Sequence, residues 1–386
     1  MLRVHHALGF HFHQPPGNID LLVSANPAEA IKILRCYTRP LQFLSSGGVP
    51  VNVSVSGSLM EQMLSVSVNG LGEELHVALN GHASLSNVEV LATGFYHPIF
   101  PLIPEDDWKP HIVRWIMLAK QVGFRLNVFW PPELGFTMKM TPVLSELGFK
   151  YVVVDGRYVE RCGEDGVYRP HIAEYSGAIP RGEYFSRILA GGVDAASFVK
   201  ALKSEASSFR GLLATTWFNG KNGNWLRSTP SGNLWGSFFK PYASLLEREY
   251  CAALTSFSSF LLEHPPEDYV KVRMGAWRTF SNDGESFKQW VGLEEQKRAL
   301  AGVWGTSLRL RRIKALSGGG EDGAADVQAA EEHLLKAQTS CNFFWEAKWL
   351  HRVCEELSLV DAHISRAAEK AHPGENVMEG LNIVLY

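Results

Sequence analysis

The chain alternates short runs of apolar, β-branched residues with longer segments whose apolar positions recur every third or fourth residue. The short runs predict strands at Val4–Phe12, Val49–Val55, Val88–Ala92, Arg125–Phe129, Lys150–Val154, Tyr184–Leu189 and Gly211–Thr216. The longer segments predict helices over Pro27–Leu44, Trp108–Val122, Thr137–Leu147 and Asp194–Phe209. Strand and helix in turn are the pattern of βα units on a mainly parallel sheet, that is, an α/β fold. His11, His13, Glu133, Asp155 and Asn219 each fall at or just after the end of a predicted strand. In a parallel barrel that is the face where catalytic groups converge, so a barrel is favoured over an open sheet.

From about Ser231 the pattern changes. Trp235–Phe260, Glu294–Leu316 and Ala325–Ala371 read as long helices, and Ser317–Ala325 has the composition of a flexible surface loop. The expected organisation is a barrel domain over 1–230 and a mainly helical region over 231–386 packed on it. No internal repeat, heptad array or glycine-rich phosphate loop is found.

Composition narrows the function. Among 386 residues, 37 Lys and Arg stand against 40 Asp and Glu, a net charge of −3. That balance lacks the polycationic footprint of a nucleic-acid or anionic-membrane binder. The five cysteines (Cys36, Cys162, Cys251, Cys341 and Cys354) are odd in number, scattered and without a Cys-x-x-Cys pair, which argues against a disulfide framework or structural zinc site. No run reaches the ~18 apolar residues of a membrane span, so a soluble cytoplasmic protein is expected. Many of the 11 Trp, 11 Tyr and 21 Phe stand beside Gly, Pro, Asn or His. Such aromatics suit the flat apolar faces of sugars, although ordinary core packing is the default for any one of them.

The candidate chemistry starts at His11-Phe12-His13-Gln14-Pro15-Pro16, where period-two alternation aims both imidazoles the same way. They could form a structural pair, hydrogen-bond substrate hydroxyls, or join His97 in a three-histidine zinc site. Glu133, in Trp130-Pro131-Pro132-Glu133-Leu134-Gly135, is the strongest catalytic candidate; its plain alternative is a glutamate at a helix N-terminus. Asp155, before a glycine, is either a turn residue or a second site carboxylate.

Four segments, His-Phe-His-Gln-Pro at 11–15, Gly-Phe-Tyr-His-Pro at 94–98, Phe-Trp-Pro-Pro-Glu-Leu-Gly-Phe at 129–136 and Tyr-Val-Val-Val-Asp at 151–155, resemble in order and spacing the motifs of glycoside hydrolase family 57. The likeness covers roughly residues 4 to 225. The resemblance implies an incomplete (β/α)7 barrel with a helical C-terminal region and no obligatory cofactor. It further implies an α-glucan or other α-glycoside as substrate and a retaining hydrolase or glucanotransferase. By resemblance Glu133 is the nucleophile, and His11, His13 and His97 line the reacting subsite; Gln14 is a further candidate contact to substrate. The segment 337–345 is similar to a degenerate last motif of the family. Trp130, Trp217, Trp225, Trp277 and Trp345 are expected to stack on sugar rings, with Asp155 among the polar contacts.

One departure bears on activity. Where the family carries its acid/base aspartate this chain has Asn219, and Lys221 replaces the glutamate that follows. An amide cannot donate and retrieve a proton, so acid/base help on the order of 10²- to 10⁴-fold is missing. Asp283, in Asn-Asp-Gly-Glu, is the candidate substitute. The other readings are a relative that binds glycans without cutting them, and a metal-dependent, polysaccharide deacetylase-like hydrolase using His11, His13, His97 and Asp155. The sequence is silent on oligomeric state.

Overall fold

The computed structural model describes the chain apart from residues 1–3, 48, 66–86, 125, 161–168, 191, 209–212, 220–237, 249–251, 278–286, 317–322, 345 and 372–386. Its strands are β1 Val4–Phe12, β2 Val51–Val55, β3 Val88–Leu91, β4 Val128–Phe129, β5 Tyr151–Asp155, β6 Val159–Glu160, β7 His171–Ala173, β8 Ser176–Arg181, β9 Leu213–Asn219, β10 Ala252–Leu254 and β11 Lys271–Val272. Strands β9, β1, β2 and β3 lie side by side in parallel, and β4, β5 and β8 form a second parallel group with β7 antiparallel at its edge. The groups meet where Ala92 N donates to Val128 O (3.1 Å) and Trp130 N donates to Ala92 O (2.7 Å). On the far side Gly182 N, just past β8, donates to Thr215 O of β9 (3.1 Å).

Alternation along β1 sorts its side chains into two layers, as the pleat requires. Leu8, Phe10 and Phe12 pack outward with Leu34, Tyr37, Trp115 and Phe198 of the surrounding helices. Ala7 faces the other way, into a cluster with Leu91, Val128, Val153, Ile179, Leu213, Trp130 and Trp217. Gly9 lies on that inner face because the Trp217 indole crosses it: a Cβ there would sit 1.7 Å from Trp217 Cε3.

Several expected elements hold and others do not. The strand at Val4–Phe12 and the helices Trp108–Val122 and Glu294–Leu316 have the bounds read from the sequence. Tyr184–Leu189, expected as a strand, lies within a helix, Glu183–Ala190. Its buried Phe185 and Leu189 are four residues apart, a helical spacing that a six-residue window does not distinguish from a strand. The strand itself is β8, whose Gly177 and Pro180 hide it from a β-propensity reading.

Trp235–Phe260 is not one helix. It contains a helix Lys240–Arg248, then β10, then a helix Phe257–Glu263 capped by the Ser256 side chain accepting from Ser259 N. Because β10 pairs in parallel with the start of β1, at Val4↔Ala252, the sheet continues past the expected limit at residue 230. Ala325–Ala371 divides likewise into Ala324–Ala337, Ser340–Phe344 and Leu350–Ala371.

The helices 294–316, 324–337 and 350–371 close around their own core of Val303, Leu310, Ile313, Leu334, Val353, Val360 and Ile364. Ile99 and a buried carboxylate tie this region to the sheet. Asp107 accepts from Ser307 Oγ (2.9 Å) and Gln338 Nε2 (2.6 Å), and burial pushes its pKa up to about 6. No helix among the described residues is long and apolar enough to cross a membrane.

Candidate active site

Glu133 follows β4 in the short turn Pro132–Leu134, preceding the helix Met140–Glu146 rather than opening it. Its backbone is left-handed, φ 53°, as is that of Leu134 (φ 53°) and of His97 (φ 61°). For non-glycine residues this costs on the order of 1–2 kcal/mol apiece and persists only where the surroundings impose it. What imposes it at Glu133 is a crossing segment. Phe136 N donates to Gly275 O (2.9 Å), Gly275 N to Phe136 O (3.1 Å), and Trp277 N to Glu133 O (2.8 Å). The Trp277 indole N–H then donates to the Glu133 carboxylate itself.

A column of rings runs from this point along the strand ends. Trp277 meets Trp130 edge-on at 5.6 Å, and Trp130 stacks on Trp217 at 4.1 Å with 14° between planes. On its other side Trp130 lies 6.2 Å from His11, which stacks on His97 at 4.7 Å. His97 in turn stacks on His13 at 4.0 Å and 11°. Asn219 ends β9 in register with His11 of β1. Gln14 is buried just beyond, its carbonyl accepting from Ser58 Oγ (2.8 Å).

The imidazoles are wired, not merely stacked. Ser340 of the helical region bonds His97 twice, N–H to the His97 carbonyl (3.1 Å) and Oγ to Nδ1 (2.7 Å). His97 Nε2 meets His11 Nε2 at 2.9 Å, and His13 Nδ1 meets Ser56 Oγ at 2.9 Å. A neutral imidazole has one N–H and one bare nitrogen. If the Ser340 hydroxyl donates, His97 Nε2 carries hydrogen and His11 must accept at Nε2; if it accepts, the polarity reverses. Ser340 therefore controls which nitrogen of His11 can donate.

This geometry bears on two of the readings. The imidazole nitrogens engage one another and serine hydroxyls, and no group of three ligands able to hold a metal occurs among the described residues. Trp130 (0% exposed) and Trp217 (1%) have their faces taken by each other, His11 and Phe257, so they form the floor of the site instead of open stacking platforms.

Asp155 proves to be the turn residue and more. Its carboxylate accepts from Arg157 N (3.0 Å), from Arg157 Nε and from Arg157 Nη2 (each 2.9 Å), with Arg181 at 3.6 Å. Both oxygens are engaged by guanidinium groups, which suits a positioning role. Arg157 also donates to the Trp277 carbonyl (2.6 Å), and Arg181 lies 5.2 Å from the Trp277 ring centre. The pair thus braces the segment that holds Glu133. Asp283, Trp225 and Trp345 lie outside the described residues.

Arg157 and Arg181 were not singled out in the sequence. Arg157 sits two residues beyond a strand-end aspartate, a usable signal; Arg181 ends the strand that Gly and Pro concealed.

Comparison with known proteins fits this arrangement. Residues 28–187 match the sequence model of Glycosyl hydrolase family 57. The chain is 26% identical over 182 residues to an alpha-amylase of Pyrococcus abyssi and 26% over 182 residues to a 4-alpha-glucanotransferase of Thermococcus litoralis. Each match spans 46% of this chain but 26% of the relative, so the likeness reaches about a quarter of those proteins' length. Among solved structures, a GH57 branching enzyme from Thermococcus kodakaraensis superposes with a TM-score of 0.73 at 15% identity, covering 98% of this chain and 94% of that one. An alpha-amylase from Thermotoga maritima gives 0.69 at 12% identity, covering 100% of both chains. At such identities these superpositions speak for the fold alone.

Proposed function

We propose, from the premise that residues 28–187 assign this chain to glycosyl hydrolase family 57, that it binds α-linked glucans over the strand ends and cleaves or transfers them by double displacement at Glu133. One observation carries the reading: a carboxylate held in left-handed backbone at a strand end, fixed by an indole N–H and flanked by a column of imidazoles. A nucleophile that must reach an anomeric carbon gains from such preorganisation. The parallel strand order, bonded at both seams, supports an incomplete (β/α)7 barrel, and the pairing of β10 with β1 suggests that this portion extends past residue 230.

In the first step a Glu133 oxygen attacks the anomeric carbon as the leaving oxygen takes a proton; in the second, water or another sugar hydroxyl gives up a proton and displaces Glu133. Asn219 cannot supply that proton, and the Asp155 oxygens are already engaged by Arg157 and Arg181. Asp283, six residues beyond Trp277 in the sequence, is the candidate, since six residues span at most about 20 Å, with Glu285 two residues further on. Incubation with an activated fluoro-α-glucoside, followed by peptide mass mapping, is expected to find a glycosyl group on Glu133. Turnover without any such adduct, unaffected by Glu133→Gln, refutes the nucleophile assignment.

Asn219, beside His11, favours a second reading in which glycans bind without being cut. Under it, wild type binds maltooligosaccharides but turns over no activated α-glucoside, and Asn219→Asp introduces turnover.

A further inference from the structure

At the opposite end of β5 and β8 from Glu133 is an open cavity of about 420 Å³. It is bordered by Ser145, Lys150, Ile172, Glu174, Tyr175 and Ser176. Strands of five and six residues separate it from Asp155 and Arg181, roughly 17–20 Å at about 3.3 Å per residue. None of its residues belongs to the machinery around Glu133.

Its chemistry is specific in three ways. Tyr175, at the tip of the β7–β8 hairpin, is 66% exposed, and Tyr269, bridged to Ile172, is 80% exposed. The exposure of Tyr175 at the rim is not explained by packing. Ser176 lines the cavity, is 4% exposed, and its hydroxyl has no hydrogen-bond partner among the described residues. A buried hydroxyl left unmatched costs about 1–3 kcal/mol, and this one lies in the wall of the cavity. Finally, the rim charges cancel: Lys150 stands against Glu174, whose backbone is left-handed at φ 51° and whose carboxylate accepts from Thr141 Oγ1 (3.4 Å). Balanced charge selects neither an anion nor a cation. A neutral ligand with flat apolar faces and many hydroxyls suits such an open, charge-balanced surface.

We infer that this cavity is a second carbohydrate site, which takes a segment of a neutral gluco-oligosaccharide or polysaccharide chain while another part occupies the Glu133 site. The inference rests on the proposed function for its choice of sugar. Tethering one polymer at two points raises its effective concentration at the strand ends without altering the chemistry there.

The test is native electrophoresis through gels containing dissolved starch, with wild type, Tyr175→Ala, Ser176→Ala and Glu133→Gln. Tyr175 is exposed, so its alanine variant is expected to fold. Wild type and Glu133→Gln should be retarded; Tyr175→Ala should need about fivefold to tenfold more starch for the same retardation, and Ser176→Ala less of a change. Turnover of a short aryl α-glucoside by Tyr175→Ala should stay within about twofold of wild type. Equal retardation of Tyr175→Ala and wild type, or no retardation of wild type, overturns the inference. Retardation needs no turnover, so an inactive wild type whose retardation is lost in Tyr175→Ala sinks the nucleophile assignment and leaves this site standing.

Discussion

Substituting Gly9 by alanine probes the floor of the site directly. The added methyl would lie 1.7 Å from Trp217 Cε3 and 2.1 Å from Cζ3, where ordinary contact needs more than 3.4 Å. The indole has no room to retreat, because Trp130 stacks on it at 4.1 Å and Phe257 lies parallel at 6.2 Å. Overpacking of a closed core costs about 1–3 kcal/mol, and this collision with a ring belongs at or above the top of that range. Trp217→Leu alone also destabilises, by a few kcal/mol, since it leaves a cavity. The two faults are one contact seen from both sides. In the double variant the methyl enters space the indole vacated, so its destabilisation should fall short of the sum by about 1–3 kcal/mol. Urea unfolding of the four proteins measures this, provided the m-values agree. Additivity within about 0.5 kcal/mol, or a Gly9→Ala variant as stable as wild type, refutes the packing of Trp217 across β1.

Further outcomes follow from other contacts. Trp277→Phe keeps a ring but removes the N–H on the Glu133 carboxylate, a bond worth about 1.5–3 kcal/mol; kcat/KM of the folded variant on an activated α-glucoside should fall roughly 10- to 150-fold, and an unchanged value refutes the part given to this bond. Ser340→Ala should alter the ¹⁵N shifts that report the His97 tautomer and Ser340→Thr should restore them; unchanged shifts in the alanine variant refute the control of His11 through Ser340. Asp107 has a folded pKa of about 6 against an ordinary 3.8, so the native state binds the extra proton and this group's contribution falls as pH rises from about 4 to 6. His6 and His111, pressed by burial from 6.5 to about 3, act with the opposite sign over the same window, so the test is differential. Relative to wild type, Asp107→Asn should gain on the order of 2–3 kcal/mol between pH 4 and pH 6.5, and a pH-independent difference argues against a buried titrating carboxylate.

Periodicity and punctuation in the sequence determined much of this protein. Alternation in Val4–Phe12 fixed both the strand and the facing of His11 and His13. The three-four spacing of Trp108–Val122 and Glu294–Leu316 fixed those helices, and the paired prolines before Glu133 marked a rigid turn at a strand end. These are local properties, set by backbone geometry within a few residues. What the sequence could not decide depended on partners far along the chain. β10 is a strand because β1 offers it an edge some 250 residues earlier, and β8 is one despite its proline because β5 receives it. The roles within the site were settled in the same way. Asp155 is claimed by Arg157 and Arg181, the indoles of Trp130 and Trp217 by each other, His97 by Ser340 and the Glu133 carboxylate by Trp277. A residue type states what a side chain is able to bond; only the folded neighbours, brought together by burial, decide which bond it makes.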